Sequence, residues 1–132
     1  MYRRDYLVKQ FEAFGKALAL LVGQRQRQAL EEYEKTLAEV TQTYAGKSPT
    51  ELKNLSSEAF ETLIDESDLV RKKIVAALLF EVYHHITENS ERQSIIGKRC
   101  LRLYQTIQND LSSGEFDLDV YYKIQFLKEH LN

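Results

Sequence analysis

One proline, Pro49, and five glycines are the only strong helix breakers in this chain of 132 residues. Proline removes a backbone donor and clashes with the preceding turn, and glycine loosens it, so their scarcity leaves long windows free to coil. Those windows are rich in Leu, Ala, Glu, Lys, Gln and Arg, the strongest helix formers. Their apolar residues recur at steps of three and four, which gathers them along one side of a helix. The expected fold class is all-α.

Leu7, Phe11, Phe14, Leu18 and Leu21 form a first apolar seam, with Asp5, Lys9, Glu12 and Lys16 opposite. Gly23 follows the last apolar turn and is the expected stop. A second seam runs through Leu30, Tyr33, Leu37, Val40 and Tyr44. At about 100° per residue the spacing from Leu21 to Leu30 would set the two seams half a turn apart on a continuous helix. A break between Gly23 and Arg27 is therefore expected, giving an N-terminal helical hairpin over 1–45. The alternative is one long helix with two opposed apolar faces. In the following AGKSPTEL, Ser48 can cap, Pro49 suits a first helical position and Glu51 completes a capping box. Short helices are expected from Pro49 to Asn54 and from Ser57 to Ile64, the latter capped by Ser56 or Ser57.

A helix from Asp68 to about Glu88 places Ile74, Val75, Leu78, Leu79, Val82 and Ile86 over a wide arc, as the centre of a core would. The next runs from about Glu91 to Ser112 and lines up Ile96, Cys100, Leu103, Tyr104, Ile107 and Leu111, with Gly114 as its stop. Asp117 caps a last helix carrying Val120, Ile124, Leu127 and Leu131. The alternation of Val120, Tyr122, Ile124 and Phe126 would also suit a strand, but no second strand is available to pair with it. The length is that of one domain. The expectation is a single helical domain over 1–132, with the hairpin at 1–45 and a body of antiparallel helical hairpins over 48–132.

From Asp68 on, the three helices joined by short turns resemble the stacked hairpins of tetratricopeptide-like proteins. The resemblance implies a right-handed helical array or bundle that acts by holding other proteins. That family's large aromatic, small residue and closing proline at fixed offsets are not met, since there is no Trp and Pro49 stands alone. The opening RRDYLVKQFEAFGKALALLVG is similar to the head of a bacterial family of short helical proteins that brings no assigned activity.

Within AALLFEVYHHITENSE, Glu81 and His84 stand three apart, the spacing used by di-iron carboxylate bundles, with His85 and Glu88 close behind. Such a site needs a second Glu-x-x-His pair, and His130 has Leu127 three before it. Glu81, His84, His85 and Glu88 fall in one helical arc away from Leu78, Val82 and Ile86, so they are expected to face water as ordinary surface pairs. A metal-dependent enzyme using these four is the alternative reading. No cofactor is expected. The glycines are scattered, leaving no phosphate loop, and no serine sits in a nucleophile elbow. Asp65, Glu66 and Asp68 are expected at a helix start, where acids meet the dipole favourably. Cys100, the one cysteine, permits no internal disulfide. Its register with Tyr104, Ile107 and Leu111 marks a small buried side chain rather than a catalytic thiol.

Charge is unevenly spread. Residues 1–28 hold six basic and two acidic side chains, a net +4, and residues 29–132 hold 12 and 18, a net −6. The basic residues of the first helix are offset by Asp5 and Glu12 or sit at its ends, so they form no stripe for nucleic acid. Peripheral docking of this amphipathic helix on a membrane is a further alternative. The longest apolar run, Ile74–Phe80, is too short to span a bilayer. Asp5, Lys9, Gln10, Glu12 and Lys16 interrupt the region a leader would need, so a cytoplasmic protein without a cleaved leader is expected, and a bacterial one is what the resemblance of the opening segment implies. The expected function is a non-enzymatic protein-interaction or scaffolding module with a protein partner. A homodimer is expected through residues 1–45, whose charge and narrow seams suit association. The candidate contact residues are Leu7, Phe11, Phe14, Leu18, Tyr33, Tyr83 and Tyr122.

Overall fold

The computed structural model describes residues 2–86, 90–111 and 115–131. Among them the regular structure is helix alone: α1 (Tyr2–Gln26), α2 (Leu30–Ala45), α3 (Pro49–Lys53), α4 (Ser57–Glu66), α5 (Leu69–His85), α6 (Ser90–Asp110) and α7 (Leu118–His130). The all-α expectation holds, and the ambiguous stretch from Val120 to Phe126 is helical. The chain forms two compact units, Met1–Asn54 and Leu55–Asn132.

In the first unit α1 and α2 pack as a helical hairpin. Gly23 does not end α1; the stop is made three residues further on. Gln28 takes a left-handed φ of 60°, its N–H donates to Arg25 O at 3.1 Å, and the N–H of Ala29 donates to Gln24 O at 3.0 Å. These two bonds are the Schellman arrangement, which satisfies carbonyls that the helix end would otherwise orphan. Phe14, Leu21, Tyr33, Leu37 and Val40 are buried, so the two expected seams do supply the core. Phe14 meets Tyr44 edge to face with ring centroids 5.3 Å apart. Leu30, expected to open the second seam, is instead 61% exposed. Gly46 closes α2 at φ 71°. The capping box at α3 forms as the sequence indicates: Ser48 Oγ accepts from Glu51 N, and Glu51 Oε1 accepts from Ser48 N, both at 3.1 Å. Pro49 occupies the first position, and Leu52 is buried.

In the second unit α5 packs on α6 and α6 on α7. Asp68 Oδ1 caps α5 by accepting from Arg71 N at 2.8 Å. Asp65 and Glu66 do not share that role: they lie in the last turn of α4, whose cap is Ser56. α5 is buried around nearly its whole circumference from Ile74 to Tyr83, as a helix apolar on all sides must be. α6 contributes Ile96, Cys100, Leu103, Tyr104 and Ile107, and α7 contributes Val120, Ile124 and Leu127. The three helices close in at Gly97. A Cβ there would lie 2.7 Å from both the Tyr83 ring and Leu131. Asp117 Oδ1 accepts from Val120 N at 3.1 Å to start α7, and its other oxygen holds Lys73 of α5 at 3.0 Å. Lys72, nearly buried, is neutralised by Asp110 at 2.5 Å. Gly114, the expected stop of α6, lies outside the described residues.

Candidate functional site

The polar arc expected on α5 does not face water as a set. Glu81 is only 2% exposed, because α5 is covered on almost every side and leaves no open arc. Burial, and after it the neighbouring Cys100, Asp119, Glu81 and Asp117, raises the Tyr104 hydroxyl well above the ordinary phenol range. His84 and His85 are half-buried, and Glu88 lies outside the described residues. His84 Nδ1 sits 2.8 Å from Phe80 O; a carbonyl only accepts, so Nδ1 carries the proton. Among the described residues, no three His, Cys, Asp or Glu side chains are placed to hold a metal ion. Cys100 is fully buried beside Ala76 O at 3.5 Å, and burial pushes its thiol well up, away from the nucleophilic form.

What His84 does join is a line of rings. It lies 4.4 Å from Phe80, and it stacks on Phe126 at 5.4 Å and 27°. Phe126 in turn stacks on His130 at 3.9 Å and 20°. The order follows from helical spacing, since Phe80 and His84 are four apart on α5 and Phe126 and His130 four apart on α7. Phe80 and Phe126 meet edge to face at 5.4 Å and tie the two helices together. Lys123 Nζ lies 4.4 Å above the Phe80 ring, a cation–π contact at the edge of the line.

Beyond the stack the aromatic character continues into solvent. Phe116 and Tyr122 are 68% and 60% exposed, Leu118 54% and Tyr121 40%. Tyr121 lies 5.8 Å from the Phe116 ring and 5.9 Å from that of Tyr122, so the side chains form one surface rather than scattered points. An open depression of about 590 Å³ beside them is lined by Phe80, Tyr121, Tyr122, Lys123, Phe126 and Glu129.

Of the contact residues proposed from sequence, Tyr122 stands on this face. Tyr83 does not: it is buried against Gly97 at the α5–α6 packing. The other five lie in the first unit. Phe14 and Tyr33 are buried there and serve its core, Leu7 and Leu18 are half-buried, and Phe11 is 39% exposed. Phe116, Leu118 and Tyr121 were missed, although all three fall off the Val120, Ile124 and Leu127 seam that the sequence shows. Comparison of the chain with family models, curated proteins and solved structures found no match. No helix among the described residues is long and apolar enough to cross a membrane.

Proposed function

We propose that this chain is a non-enzymatic protein-interaction module, that its acting surface is the aromatic face of α7, and that the occupant is the first helix of a second copy. The observation that carries the reading is the run of four large apolar side chains, Phe116, Leu118, Tyr121 and Tyr122, left exposed beside a depression. Tyrosine and phenylalanine in such a setting bury much area at low entropic cost and are the residues that dominate interfaces.

Charge argues for the occupant. The first unit takes nine of the 18 basic and seven of the 20 acidic side chains, which leaves nine and thirteen in the second, a net −4. Around the aromatic face Glu115, Asp117, Asp119 and Glu129 outnumber Lys123 and Lys128. Residues 1–28 carry net +4, and α1 exposes Tyr6, Val8 and Leu20 along with Lys9 and Lys16. An apolar, basic helix meeting an apolar, acidic face is complementary in both terms. If each copy gives its α1 to the other, the exchange is self-complementary and closes as a two-fold dimer. The consecutive packing of α5 on α6 and α6 on α7 supports a tetratricopeptide-like arrangement of antiparallel hairpins in the second unit, a form suited to presenting one face to a helix.

Sedimentation equilibrium at low and high salt tests this. A dimer is expected at low salt, weakened as salt screens the charges, and Tyr121→Ser with Tyr122→Ser is expected to raise its dissociation constant at least roughly tenfold. A monomer at high protein concentration and low salt overturns the reading.

A further inference from the structure

The second unit is acidic overall, yet three of its cations converge on one small cavity between α4 and α6. Lys98, Arg99 and Arg102, with Ser57, Phe60 and Glu61, line a depression of about 190 Å³. That is the liquid volume of roughly six waters. The three cations fall within one turn of α6 at spacings of one, three and four, which puts like charges side by side at a small electrostatic cost. Two of them are tied to neighbouring groups. Arg99 Nη1 donates to Leu55 O at 2.6 Å, and its guanidinium lies 5.3 Å over the Phe60 ring. Arg102 pairs with Glu61. A guanidinium has five N–H donors, so each arginine keeps several beyond these bonds. Lys98 is exposed at the rim, and among the described residues Glu61 is the one carboxylate in the lining.

We infer that this cavity binds a phosphate group, as the free dianion or as the head of a phosphate monoester. Planar guanidinium forks match the oxygens of a tetrahedral oxyanion, and a flexible ammonium at the rim adds a point charge that follows the ligand. The Ser57 hydroxyl offers a further donor. The inference stands apart from the α7 reading, since no residue is shared between the two surfaces.

The test is a titration of the full chain with inorganic phosphate and, separately, with phenyl phosphate, at constant ionic strength balanced with chloride. Backbone amide shifts are read by nuclear magnetic resonance. Saturable shifts confined to residues 55–61 and 98–102 are expected with phosphate and not with chloride alone. Lys98→Ala is expected to weaken binding roughly tenfold, as loss of one charge-assisted contact would. Glu61→Gln, which removes the opposing carboxylate, is expected to tighten it severalfold. Tighter binding of the phenyl ester assigns the site to a monoester head, and equal or weaker binding assigns it to free phosphate. Shifts that fail to saturate, or affinities unmoved by both variants, overturn the inference and leave a solvated basic face.

Discussion

Gln28 holds a left-handed conformation that its side chain disfavours, and it does so because two carbonyls of α1 need the donors that follow it. Glycine adopts the same conformation without the Cβ clash. Gln28→Gly is therefore expected to stabilise the first unit by about 1 kcal/mol, read as a higher urea midpoint with an unchanged slope. Titration supplies a second expectation at this scale. Burial first, then neighbouring charge, raises Tyr104 above its ordinary range, and burial does the same for Cys100. In an unfolded chain the thiol and phenol ionise near about pH 8.5 and 10. The unfolded state thus releases these protons before the folded one, and stability complete below about pH 8.5 falls as pH rises through each unfolded value. Each group contributes a decline of about 1.4 kcal/mol per pH unit. Denaturation followed from pH 7 to 11 is expected to show this slope, and Tyr104→Phe to make it shallower above about pH 10.

At the scale of elements, much of the fold was legible because capping is local chemistry. Ser48 with Glu51, Asp68 and Asp117 each start a helix where the sequence places one, and the apolar seams of α2, α6 and α7 supply the buried residues. What escaped depends on neighbours that no local pattern names. A helical wheel puts Glu81 in a polar arc of α5 and Tyr83 off its apolar stripe, but it does not count the helices packed around them. Likewise Phe116, Leu118 and Tyr121 read as ordinary apolar residues until the packing of the described residues shows them exposed. Gly97 carries no signal in sequence, yet the approach of Tyr83 and Leu131 depends on its missing side chain. Alanine would gain about 1 kcal/mol of helix propensity and lose about 1–3 kcal/mol to overpacking against a rigid ring. Gly97→Ala is expected to destabilise the second unit, with thermal unfolding as the readout, and a gain in midpoint would contradict the close packing.

At the scale of the whole molecule, the chain combines a basic helical hairpin unit with an acidic helical unit whose last helix exposes its aromatic side. The central claim is that these two features answer each other between copies. The most direct measurement places a spin label on α1 of an unlabelled-isotope copy and reads amide signals in a second, nitrogen-15 copy mixed with it. Glu12→Cys supplies the label on an exposed position, and the buried, unreactive Cys100 does not compete for it. Broadening of the amides of residues 115–130 in the partner is expected, lost at high salt and with Tyr121→Ser and Tyr122→Ser. Broadening confined to other residues, or none at low salt, would contradict that claim.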